Sequence, residues 1–100
     1  MERLRCGVIF TDPFLAFLGD LSAREAALHP GHVLALDYIR CAEGARAGQS
    51  WLEWMWVRRA GLSDHCFFHV AGLDLYLSPP TQQGLKHRYI DLRNGKPFVG

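Results

Sequence analysis

Cysteine is scarce and unpaired in this sequence: Cys6, Cys41 and Cys66 lie far apart and form no Cys-x-x-C. An odd count at wide spacing argues against a disulfide framework and against a closed zinc site built from cysteine pairs. Reduced thiols are expected. An excess of one charge is missing too. A net charge of +1 gives no electrostatic reason to expect nucleic acid, an anionic membrane or a strongly acidic partner. No apolar run approaches the ~18 residues a membrane helix needs, FLAFL being among the longest. The opening MERLRCG lacks the apolar stretch of a secretory signal, so a cytoplasmic protein is expected. Repeats, low-complexity tracts and linkers are absent, and 100 residues leave room for one core. Residues 1–100 read as a single domain.

Catalytic signatures are equally thin. Nothing resembles a nucleophile elbow, a Walker loop or a dinucleotide fingerprint. Gly44 and Gly48 in EGARAG have no following helix or paired lysine to make an anion nest of them. The carboxylates are scattered, so no acid/base dyad can be placed. His65 and His69 have the spacing that binds zinc on a helix, but HCFFHV reads as a strand. On a strand the two imidazoles share a face roughly 13 Å apart, too far for one ion. His29 and His32 flank Pro30-Gly31 and read as surface histidines of a turn. Lys86, His87 and Arg88, with Arg93 and Lys96, form the densest basic spot, which reads as a solvated face. An enzyme acting through Cys66 or Cys41 with a nearby histidine finds the least support, and no enzymatic activity is expected.

What is present is a β-rich pattern. LRCGVIF (4–10) predicts a first strand. TDPFLAFLGDL predicts a helix capped by Thr11 or Asp12, with Pro13 where its missing N–H costs nothing. Phe14, Leu15, Phe17 and Leu18 form its apolar stripe, and Gly19 weakens its far end. Ser22 to Glu25 has the capping-box spacing and predicts a second helical piece to about Leu28, stopped by Pro30-Gly31. HVLALDYIR (32–40) reads as a strand with Val33, Ala35 and Ile39 on one face and Leu34, Leu36 and Tyr38 on the other. After a loop at 41–50, WLEWMWVR (51–58), HCFFHV (65–70) and LDLYLS (73–78) predict an antiparallel meander. A short helix entered at Pro79 or Pro80 follows, then a hairpin turning at Asn94-Gly95.

The stretch WLEWMW concentrates aromatic surface. Trp51, Met55 and Val57 fall on one face with Glu53, while Leu52, Trp54 and Trp56 fall on the other. A strand apolar on both faces is either core on both sides or covered on one side by another subunit. Two short helices in 100 residues leave both readings open, with an aromatic ligand pocket as a third. Trp51, Trp54, Met55 and Trp56 are the candidate interface residues.

One segment carries a resemblance. Gly72 is followed by alternating Leu73, Leu75 and Leu77, then by Ser78, Thr81, Leu85 and the pair Ile90-Asp91. On these residues GLDLYLSPPTQQGLKHRYID resembles the HesB-like fold of the A-type iron–sulfur carriers. Ser78 stands where that family usually has Asp, Thr81 where it has Ser, and His87 where glycine is common. Asp64 and Phe68 resemble the acidic and aromatic residues before the strand, and VIFTDPFLAFL is similar to the opening strand and helix. The likeness spans most of the chain, with residues 64–91 carrying it. It implies an α+β, β-rich domain of two packed, mostly antiparallel sheets with one or two short helices, forming dimers or tetramers. Such carriers hold iron or a cluster through three cysteines, one in a Gly-Cys-Ser-Gly loop and two in a Cys-Gly-Cys, because soft thiolates suit cluster iron. Here the loop is CAEGARAG, with Cys41 near the expected place, or Arg46 in one alignment. The Cys-Gly-Cys has no counterpart among these residues. The resemblance therefore implies a non-enzymatic, self-associating binding protein on a HesB-like scaffold that has lost cluster ligation and needs no cofactor. The alternative it implies is an iron or iron–sulfur carrier with an unusual ligand set, for example one Cys41 from each protomer.

Overall fold

The computed structural model describes every residue, Met1–Gly100, and is an α+β, β-rich fold. One four-stranded sheet has the order β1-β2-β7-β8 (Glu2–Arg3, Ile9–Phe10, Tyr89–Arg93, Lys96–Val99). The other has the order β4-β3-β6-β5 (Ser50–Arg58, His32–Arg40, Leu73–Leu77, Phe67–Val70). Helices α1 (Asp12–Glu25) and α2 (Pro79–Leu85) complete the layers. The core lies between the second sheet and a layer made of α1 and the first sheet. Phe10, Phe14, Leu18, Leu34, Leu36, Leu75, Leu77 and Ile90 are all buried in it.

The expected first strand is two short ones. A turn at Leu4–Val8 separates them, closed by the Gly7 N–H on the Leu4 carbonyl at 2.9 Å. Gly7 sits at φ +99, a conformation costly for any residue with a Cβ. Helix α1 is capped by Thr11, whose Oγ1 accepts from the Phe14 N–H at 3.4 Å. It runs on through Gly19 to Glu25, so Ser22 lies inside it and the expected second start does not occur. A mid-helix glycine costs about 1 kcal/mol. Burial of Leu18 and Leu21 on either side contributes roughly 1.5–3 kcal/mol each and outweighs that cost. A single 3-10 turn at Ala26–Leu28 ends the segment.

The expected meander is also corrected. β3 is central, antiparallel to β4 and parallel to β6, while β5 is antiparallel to β6 at the far edge. Val33, Leu34, Ala35 and Leu36 are all buried, and because successive side chains point to opposite faces, both faces of β3 are covered there. The chain passes from β4 to β5 across the outside of this sheet, where Leu62 lines a depression with Ala35, Met55, Val57 and Tyr76. His65 and Cys66 belong to a 3-10 turn (Asp64–Cys66), not to a strand.

Ser78 caps α2, accepting from the Thr81 N–H at 3.4 Å, with both prolines in the first turn. Buried Thr81 accepts from the Tyr38 N–H at 3.1 Å and donates to Asp37 Oδ1 at 2.9 Å, which fastens α2 to β3. The last hairpin turns at Asn94 (φ 53) and Gly95 (φ 74) as expected. Gly95→Val should cost about 1–2 kcal/mol through backbone strain alone. An unchanged denaturation midpoint would show that the turn does not need this conformation.

Thr11 has a second duty. Its hydroxyl donates to Asp91 Oδ1 at 2.8 Å, tying the start of α1 to β7. That bond, the Leu92 N–H and Arg93 hold the Asp91 carboxyl below its usual range. His69 first, and then Arg59, do the same for Asp74. A carboxylate whose folded pKa is depressed adds stability above its unfolded pKa of about 3.9, and loses it as pH falls through the lower folded value. Stability should therefore decline below about pH 4, and Asp91→Asn should flatten that acid limb. Parallel urea-midpoint curves for both proteins from neutral pH to pH 3 would refute the contribution.

Candidate functional site

The register between β3 and β4 runs unbroken from His32↔Arg58 to Arg40↔Ser50. It assigns the faces of WLEWMW as the alternation predicts. Leu52 is buried toward the core. Trp54, on the same face, packs edge-on against Phe17 of α1, with ring centroids 5.2 Å apart. Trp56 stacks on His29 at 5.1 Å and donates its indole N–H to Glu25 Oε1 at 3.3 Å. On the opposite face Trp51 donates its indole N–H to Glu53 Oε1 at 2.7 Å and lies under the Arg46 guanidinium, 3.9 Å from the ring centre. Trp54 remains 39% exposed and Met55 40% exposed, so neither face of β4 is fully closed by the domain itself.

The two faces are open for different reasons. On the core side Trp54 meets α1 only through its edge-on contact with Phe17 and keeps part of its ring in solvent. On the outside the 59–66 connection crosses part of the sheet, and Arg46 from the β3–β4 loop covers Trp51. The connection leaves an apolar depression of about 160 Å³ between Ala35, Met55, Val57, Leu62 and Tyr76. Burial, and then the neighbouring Cys66, push the Tyr76 phenol above its usual pKa.

The cysteines stand apart in the fold as in the sequence. Cys41 follows β3, half-buried, and its thiol donates to the Glu43 carbonyl at 3.0 Å. Cys6 lies in the β1–β2 turn, and Cys66 is buried at the end of the connection from β4 to β5. No three His, Cys, Asp or Glu side chains converge as a metal site. The three thiolates that the HesB-like resemblance calls for are therefore not assembled by one chain.

His29 and His32 do approach, with ring centroids 6.1 Å apart, but His32 Nδ1 is engaged by the Pro30 carbonyl at 2.9 Å. His69 shares Asp74 with Arg59, at 3.0 and 2.9 Å. Sequence reading missed this trio because it depends on the β5–β6 register that sets His69 opposite Asp74. Arg88, read as part of a solvated face, is instead structural, donating to the Tyr38 hydroxyl at 2.6 Å and to the Gly100 carbonyl at 3.2 Å. Lys86 and His87 are exposed as expected. No helix is long and apolar enough to cross a membrane. The chain matches no family model and no curated protein.

Proposed function

We propose that this chain is a non-enzymatic binding domain that acts as a homo-oligomer, built on a HesB-like scaffold without cysteine ligation of a cluster. The observation that carries the reading is β4: a nine-residue edge strand with exposed aromatic and apolar groups on both faces. A monomer of net charge +1 has little repulsion to keep such a surface solitary. Tryptophan anchors interfaces well because one ring buries much area at small entropic cost. The HesB-like part draws support from the 72–91 segment. Its Ser78 caps α2, its Thr81 joins α2 to β3 and its Asp91 holds the start of α1.

The test is anaerobic purification followed by light scattering, an absorption spectrum and metal analysis. The expected protein is colourless, carries less than about one iron per chain because too few thiolates are gathered to hold a cluster, and has the mass of a dimer or tetramer. Cys41, half-buried in the loop that joins β3 to β4, favours the second reading, an iron or iron–sulfur carrier bridged between protomers. A stable absorption band near ~400 nm, the region of thiolate-ligated cluster iron, that vanishes in Cys41→Ser would establish the carrier instead. A mass of one chain at all concentrations would remove the oligomer.

A further inference from the structure

The edge of β4 has a definite hydrogen-bonding side. Two bonds bracket its ladder with β3: Arg59 N–H to the Gly31 carbonyl at 3.0 Å, and Cys41 N–H to the Gln49 carbonyl at 2.9 Å. Antiparallel ladders alternate between bonded and non-bonded pairs. Trp51, Glu53, Met55 and Val57 therefore exchange bonds with β3, whereas Leu52, Trp54, Trp56 and Arg58 aim their N–H and C=O groups away from it. Although β8 of the first sheet approaches β4, no strand hydrogen-bonds to that side. Beside it lies an open depression of about 270 Å³ lined by Leu52, Glu53 and Trp54. Proteins usually blunt such edges with a proline, a lysine, a bulge or a short strand. β4 holds no proline, lysine or bulge over its nine residues, and its only charges are Glu53 and Arg58.

We infer that the occupant of this edge is β4 of a second copy of the chain, paired antiparallel about a two-fold axis to make one continuous eight-stranded sheet. The inference rests on the self-association reading above and specifies its geometry. A two-fold perpendicular to the sheet keeps each face on its own side, so only residues of equal parity meet. Charge selects among the registers. With Glu53 on the axis two carboxylates oppose each other directly, and with Trp54 on the axis they lie on a diagonal. With Met55 on the axis, Glu53 faces Val57 of the second copy and lies diagonal to its Arg59. Arg58 then lies diagonal to the second copy's Trp54, within reach of a cation–π contact. Arg59 gives one nitrogen to Asp74 and has further N–H donors to offer. Leu52, Trp54, Trp56 and Arg58 pair with Arg58, Trp56, Trp54 and Leu52 of the second copy, forming about eight backbone bonds. Moving the axis to Trp56 would set Glu53 opposite Arg59 and Arg58 opposite Trp54, but only residues 54–58 of β4 would pair, whereas Met55 on the axis keeps both contacts and pairs 52–58.

Met55 on the axis provides the test. It occupies a pair that is not hydrogen-bonded across the new ladder, where Cα atoms lie about 4.5 Å apart, within the span of a disulfide. In a Cys6→Ser, Cys41→Ser background, Met55→Cys should form a covalent dimer under mild oxidation about tenfold or more faster than Asp20→Cys, an exposed control on α1. Light scattering is run on the unoxidised proteins. A dimer in solution with no faster linkage at position 55 overturns the edge pairing while self-association stands. A monomer at every concentration overturns both.

Discussion

Phe14→Ala should lower stability by about 3–5 kcal/mol, the cost of a large cavity in a packed core. Phe14 is fully buried and meets Phe10 edge-on at 5.1 Å and Phe17 at 5.9 Å. It is the first apolar residue of α1, so it joins the N-cap, β2 and the face that supports Trp54. A domain of this length has roughly 5–15 kcal/mol in total, and each kcal/mol is worth about 4–8 °C in Tm. The variant should thus melt roughly 12–40 °C below the parent. A loss under about 1 kcal/mol in urea would mean that α1 is not docked as described.

Trp54→Glu should leave the fold intact and weaken self-association by about 30- to 700-fold, the range of a 2–4 kcal/mol anchor residue. Trp51→Glu should do the same from the opposite face. Trp54 is 39% exposed, and Trp51 lies on the face away from the core, so a carboxylate at either site can stay hydrated in the monomer. Trp56 is different. It is half-buried on His29 and bonded to Glu25, so Trp56→Glu sets two carboxylates together and should destabilise the monomer itself. Light scattering against concentration, with circular dichroism to confirm folding, separates these outcomes. Variants at Trp51 and Trp54 that remain folded and dimerise as tightly as the parent would place the contact away from β4.

Local chemistry was legible in the sequence wherever a single residue type meets a single backbone need. Thr11 before Asp12-Pro13, Ser78 before Pro79-Pro80 and Asn94-Gly95 each behave as expected, because caps and type I′ turns are set by neighbours in the chain. The alternation likewise set Leu34 with Leu36 on one face of β3 and Leu52 with Trp54 on one face of β4, since a strand's period is a property of its own backbone; that the two faces coincide came from the register. Pairing was not legible. HVLALDYIR is as compatible with an edge as with a centre, and its parallel partner LDLYL arrives about 40 residues later, beyond the reach of any local signal. Gly19 and Ser22 read as an ending and a beginning, yet burial of Leu18 and Leu21 carried one helix through both. The Arg59–Asp74–His69 trio and the Arg88–Tyr38 bond depend on registers and layer contacts of the same kind. The sequence therefore determined which residues turn, cap and alternate. Only the tertiary structure decided which strand lies at the centre and which at the edge, because that choice depends on the total apolar area buried by the whole chain.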